Sequence, residues 1–118
     1  MGNPVVHFEI HTKDGGPTQK FYEQLFGWKI DNDNPMNYGM IDTQSNGHGV
    51  NGGIMSNSQA GNMITFYVEV PDPQKALDEA KKLGANEVMG VTEMGPVTMA
   101  MFADPSGNVI GVVKSNQP

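Results

Sequence analysis

Apolar and polar residues alternate from Val5 to His11, with Val6, Phe8 and Ile10 on one face and His7, Glu9 and His11 on the other. Period two is the spacing of a half-buried strand. Asp14-Gly15-Gly16-Pro17 then turns into a helix over about 17–26, where Phe21, Tyr22, Leu25 and Phe26 fall at helical spacing and Gly27 ends the run. Short strands are predicted over 28–30, 38–43 and 49–55, and a glycine- and serine-containing linker over 56–62. Alternation returns in residues 63–70, with Ile64, Phe66, Val68 and Val70 as the apolar face. Pro71-Asp72-Pro73 opens a second helix, whose expected buried stripe is Ala76, Leu77, Ala80 and Leu83, with Gly84 as its stop. Strands over 86–91, 97–103 and 108–114 complete the chain, the last two joined by the tight turn Asp104-Pro105-Ser106-Gly107.

This order repeats. Asp14 and Asp72 stand 58 residues apart, Gly27 and Gly84 stand 57 apart, and each half reads strand, helix, three strands. The pattern predicts an α+β fold: one domain over 1–118, built of two tandem βαβββ modules at about 4–58 and 62–115. Each helix covers one face of its strands, so the mixed sheet is expected to curve around a concave cavity. Alternation puts His7, Glu9, Thr65, Tyr67 and Glu69 on the lining of that trough. Glu9 and Glu69 are read as matching positions of the two halves.

Composition narrows the chemistry. Among 118 residues the 7 cations are all lysine, against 13 acids, for a net charge of −6, and there is no cysteine. Disulfides, thiolate metal sites and cysteine nucleophiles are thereby excluded. With no arginine, nothing can grip a carboxylate or phosphate through a bidentate guanidinium. Sparse lysines make no basic face, so a nucleic-acid partner is not expected. No apolar run approaches the roughly 18 residues of a membrane span, and residues 1–4 lack the features of a signal peptide, so the expectation is a cytoplasmic protein without a membrane partner.

Four segments resemble a known family: His7-Phe8-Glu9-Ile10, Phe21-Tyr22-Glu23-Gln24-Leu25-Phe26-Gly27-Trp28, Gly52-Gly53-Ile54-Met55 and Phe102-Ala103-Asp104-Pro105-Ser106-Gly107-Asn108. With the duplicated βαβββ order, they resemble the vicinal oxygen chelate superfamily of glyoxalases, bleomycin resistance proteins and extradiol dioxygenases. The likeness is strongest to small members described only as related to lactoylglutathione lyase. The resemblance implies a glyoxalase/bleomycin-resistance-like fold, a small-molecule ligand in a concave site, and a homodimer. Metal enzymes of the superfamily take ligands from four inward positions, which fall here on His7, Gly53, Thr65 and Gly111. One imidazole and one hydroxyl fall short of the three or four ligands such a site needs, so the expectation is no metal and no other cofactor.

His7 is then the retained family position, either a general acid/base or ligand donor, or a relic held by Glu9. Glu9 and Glu69 are candidate catalytic carboxylates, with a wet rim or a lysine pair as the plainer alternative. Thr65, Tyr67, Trp28, Met55, Met101 and Phe102 are the candidate ligand-binding residues, although methionines and strand aromatics commonly fill cores. The expected function is small-molecule binding or metal-independent catalysis of a lyase or isomerase type, on a neutral or cationic, partly apolar ligand. The alternatives are a non-catalytic protein that sequesters an antibiotic, and a metal-dependent enzyme like lactoylglutathione lyase.

Overall fold

The computed structural model describes residues 2–44, 47–59 and 61–115. The elements run β1 (Val5–His11), α1 (Gly15–Phe26), β2 (Lys29–Asp31), β3 (Gly39–Asp42), β4 (Gly52–Met55), β5 (Met63–Val70), α2 (Pro73–Lys82), β6 (Asn86–Met94), β7 (Val97–Ala103) and β8 (Val109–Lys114). This is the duplicated βαβββ order expected from the sequence. Two compact units carry it, one over 7–64 and one over 65–115 with the residues up to Val6. The opening residues join the second unit by a backbone bond, the Glu69 N–H donating to the Pro4 carbonyl at 2.9 Å.

Within the first module the strand order is β2-β3-β4-β1, and within the second it is β6-β7-β8-β5. In both, the first strand lies parallel to the last, and the other pairings are antiparallel. The registers also agree: Glu9 faces Gly53 across β1–β4, and Tyr67 faces Gly111 across β5–β8. Glu9 therefore corresponds to Tyr67, and Glu69 to His11. This corrects the sequence-based pairing of Glu9 with Glu69, because the repeat of 58 between the two parallel strand pairs is two residues short of their separation.

Both helices start on an aspartate whose carboxylate accepts from backbone N–H groups that lack helical partners: Asp14 from Gly16, and Asp72 from Gln74 and Lys75. Pro73 follows in the first turn, where its missing N–H is not needed. α1 stops at Gly27, whose φ of 71° lies in the left-handed region that a Cβ disfavours.

The core of the first module joins Ile10, Ile41 and Ile54 to Phe8, Tyr22, Trp28 and Ile30. That of the second joins Val70, Leu77, Ala100 and Val112 to Val68, Ala76 and Phe102. Some faces differ from expectation. α1 turns Gly15 and Gln19 inward and leaves Phe21, Leu25 and Phe26 exposed. Gln19 is retained inside because its amide oxygen accepts from the Asn32 side chain at 3.0 Å. On α2, Leu83 is 72% exposed, because the helix ends at Lys82 and Leu83 occupies the C-cap. In β5 the buried residues include Thr65 and Tyr67, while Ile64 is 71% exposed.

No helix among the described residues is long and apolar enough to cross a membrane. The contrast on α2 gives a direct test. Leu77 is 1% exposed, so Leu77→Ala should lower the unfolding free energy by about 2–5 kcal/mol. Leu83→Ala should change it by no more than about 0.5 kcal/mol. Urea denaturation of the two variants and the parent measures both.

Candidate functional site

Alternation along β1 brings His7, Glu9 and His11 to one face, opposite the face whose Phe8 and Ile10 enter the core. A fourth side chain joins them from the turn before β3. Asn34 shapes that turn: its side-chain oxygen accepts from the Met36 and Tyr38 backbone N–H groups, and its amide donates to the Tyr38 carbonyl at 2.7 Å. Asn37 completes it at φ 53°. Tyr38, so held, lays its phenol over Gly53, where a Cβ would overlap the ring and its oxygen. Gly53 is in β4 beside Glu9, and the hydroxyl reaches between Glu9 and His7.

A continuous run of hydrogen bonds results. His7 Nε2 is 2.8 Å from the Tyr38 oxygen, and the Tyr38 hydroxyl donates to Glu9 Oε2 at 2.7 Å. Glu9 Oε1 is 2.6 Å from His11 Nε2, and His11 Nδ1 is 3.0 Å from Ser58 Oγ. Proton counting orients it. Tyrosine has one O–H, which goes to Glu9, so its oxygen accepts from His7 and that imidazole carries its proton on Nε2. An ionised carboxylate only accepts, so His11 donates from Nε2. Both arms therefore converge on Glu9. Glu9 is 5% exposed and His11 8%, and a buried carboxylate with charge-assisted bonds to both oxygens is far less costly than a bare one.

Burial holds His7 below the usual imidazole range, and the Glu9 charge offsets only part of that effect. His7 also lines a cavity of about 330 Å³, with Lys29, Asp31, Met40, Asp42 and Asn51 among its walls. A second cavity of about 350 Å³ meets His11, Thr12, Thr18 and Tyr22 on the same module.

The other sequence-derived candidates are distributed as follows. In the first module Met55 pairs in register with His11 and is half-buried, while Trp28 belongs to the core, its ring stacked on Tyr22 at 5.2 Å. In the second module Thr65, Tyr67 and Glu69 share a face of β5. The Thr65 hydroxyl donates to the Val109 carbonyl at 2.7 Å, the Tyr67 ring lies where a Cβ on Gly111 would stand, and its hydroxyl donates to the Met101 sulfur at 3.9 Å. Phe102 packs on the core of that module.

Sequence reasoning put His11 on the face of His7 and Glu9 without giving it a role, and did not join Tyr38 or Ser58 to them. The available signal was the His-x-Glu-x-His alternation, together with a turn-forming Asn-Pro-x-Asn immediately before Tyr38. Among the described residues, no three His, Asp or Glu side chains are grouped so as to hold a metal ion.

The lowered His7 value fixes the sign of a pH effect. Between the folded midpoint and 6.5, the unfolded chain binds more protons than the folded one, so stability rises with pH across that window. The contribution is complete above 6.5 and is lost as pH falls through the folded midpoint. His7→Gln should remove this acid-side loss, flattening the stability curve between about pH 5 and about pH 7 in urea titrations of both proteins.

The comparisons with known proteins agree with this architecture. A search of curated protein sequences finds no match. Among solved structures, a hypothetical protein from Bacillus halodurans superposes with a TM-score of 0.71 at 12% identity, over 100% of this chain and 98% of that one. Streptomyces coelicolor methylmalonyl-CoA epimerase, as a variant in complex with 2-nitronate-propionyl-CoA, gives 0.67 at 13% identity, over 98% and 96%. Methylmalonyl-CoA epimerase from Mycobacterium tuberculosis gives 0.67 at 13% identity, over 93% and 86%. At such identities the likeness is one of fold. A family model matches residues 5–112, and by that match over nearly its whole length the chain belongs to the Glyoxalase/Bleomycin resistance protein/Dioxygenase superfamily.

Proposed function

We propose that this protein binds a small, neutral or cationic, partly apolar molecule beside His7 and moves a proton on it without a divalent metal. The observation that carries this reading is the Tyr38 phenol seated over Gly53 and bonded to both His7 and Glu9. At the four positions where relatives in this superfamily hold a metal, the side chains do not fit one. His7 Nε2 faces a phenol, Gly53 lies beneath that phenol, the Thr65 hydroxyl is given to a carbonyl, and Gly111 lies beneath Tyr67. Of the four, His7 alone has a side chain suited to a metal, and it is engaged with a phenol and a carboxylate, groups suited to general acid–base chemistry.

The cavity walls favour the same ligand class. Lys29 there is accompanied by Asp31 and Asp42, and the chain has no arginine to bind an anionic cofactor or thioester carrier. The structural neighbours include enzymes named as epimerases of methylmalonyl-CoA. Epimerisation at carbon is removal and return of a proton, a reaction class that an imidazole next to a phenol and a carboxylate suits. The acidic walls also favour a second reading, in which a cationic molecule is held and not turned over.

The test uses the purified protein treated with EDTA and a library of neutral and cationic aromatic fragments in D₂O buffer. Binding should move the His7 ring resonances, and His7→Ala should weaken it at least about tenfold, or about 1.4 kcal/mol. Loss of a carbon-bound proton from a bound fragment assigns catalysis, whereas binding without exchange assigns sequestration. Stoichiometric Ni²⁺ or Zn²⁺ binding that requires His7 overturns the metal-free reading.

A further inference from the structure

We propose that Tyr38 is the proton carrier between His7 and Glu9, with Gly53 providing the space that seats its phenol, so that Glu9 stores the proton His7 removes. This rests on the reading of His7 as the base and adds the path the proton takes. The three groups stand in series, at 2.8 Å from His7 Nε2 to the Tyr38 oxygen and 2.7 Å from there to Glu9 Oε2.

The transfer balances. A C–H bond of the ligand breaks, its electron pair stays on the ligand, and the proton joins the second ring nitrogen of His7. The Nε2–H proton passes to the Tyr38 oxygen, and the Tyr38 O–H proton passes to Glu9 Oε2. His7 ends neutral in its other tautomer, Tyr38 is unchanged, and Glu9 becomes a neutral acid still bonded to His11. The reverse sequence returns a proton to the ligand.

Charge explains why the route through the phenol is favoured over a halt at His7. Stopping there leaves an imidazolium in a site whose burial already opposes that form. Passing the proton on extinguishes a buried anion and creates no buried cation. Gly53 is integral, since any side chain there would displace the phenol.

The ligand-free protein is sufficient for the experiment. Histidines labelled with ¹⁵N and glutamates labelled with ¹³C report the His7 tautomer and the protonation of Glu9 as pH is lowered. Besides Glu9 and His11 on β1, the charged groups of the module near His7 are Lys29 and Asp31 on β2 and Asp42 on β3. They are common to every variant, so differences between variants isolate Tyr38.

In the parent, His7 should be in the Nε2–H form, and its tautomer should switch when Glu9 takes up a proton, because the phenol then donates to Nε2 instead. Tyr38→Phe keeps the ring and removes the hydroxyl. It should destabilise the protein, because the buried Glu9 carboxylate loses a donor, mix the His7 tautomers, and end the dependence of the His7 tautomer on Glu9. Gly53→Ala, by evicting the phenol, should give the same uncoupling; if it does not fold, Tyr38→Phe decides alone. A His7 tautomer that is unchanged and still follows Glu9 in Tyr38→Phe overturns the proposal, as does a parent His7 in the Nδ1–H form. Uncoupling in Tyr38→Phe with no fragment bound at His7 defeats the functional reading and leaves the relay standing. Fragment binding without coupling does the reverse.

Discussion

A carboxylate removed from water needs donors at both of its oxygens, and the first module is arranged around meeting that demand for Glu9. Burying an isolated carboxylate is prohibitive, whereas one accepting two short bonds is tolerated. The donors come from two directions. His11 is supplied by the same strand, two residues along, and is itself steadied by Ser58 from beyond β4. Tyr38 comes from a turn and reaches Glu9 only because the intervening strand carries glycine at position 53. Replacing Glu9 by an apolar residue would thus strand both donors, and replacing either donor would strand the acid. The group must be treated as a unit, with energies that do not add.

The same constraint changes what Glu9 can do. Alternation places it on the site face, and a carboxylate near a histidine invites the role of proton-abstracting base. Both of its oxygens are engaged, by His11 and by Tyr38, so Glu9 holds those two side chains in place. The group facing the cavity is His7. Alternation gives the strand face of such a residue, while its bonding is set by neighbours that the sequence keeps far away, 29 positions in the case of Tyr38.

Much of the fold was legible because its determinants are local. Two aspartates that cap helices, two glycines that end the helical runs, and period-two strands mark both modules, and their spacing reveals the duplication. The same local rules failed where a partner decides the outcome. Periodicity says that Thr65 and Tyr67 share a face with each other and not with Ile64 and Phe66; it does not say which face is covered. Hydrophobicity pointed to the isoleucine and phenylalanine. Thr65 and Tyr67 are buried nonetheless, because the hydroxyl of the first is satisfied by Val109 and the ring of the second fills the space above Gly111. On α1, likewise, Gln19 turns inward by virtue of Asn32, a partner 13 residues away. The shared face of His7 and Glu9 was legible from alternation. Tyr38 was not, since a tyrosine beside a strand is ordinarily core, and only the glycine in an adjacent strand shows where its ring goes.

The two modules meet the same geometric circumstance in different ways. Each has a glycine on its last strand, register-paired with the first strand, and in each a tyrosine ring occupies the space a side chain there would fill. In the second module the ring belongs to the paired residue itself, Tyr67, and its hydroxyl donates to the Met101 thioether, a weak acceptor. In the first module the paired residue is Glu9, and the ring arrives from the far side of the glycine, bringing its hydroxyl to a carboxylate and an imidazole. One scaffold position thus yields a packed aromatic in one copy and a polarised acid–base group in the other. At the paired position the first module has glutamate where the second has tyrosine, and the space over Gly53 is filled by the Tyr38 ring. The linked imidazole, phenol and carboxylate are therefore concentrated in the first module, while the corresponding part of the second is devoted to packing.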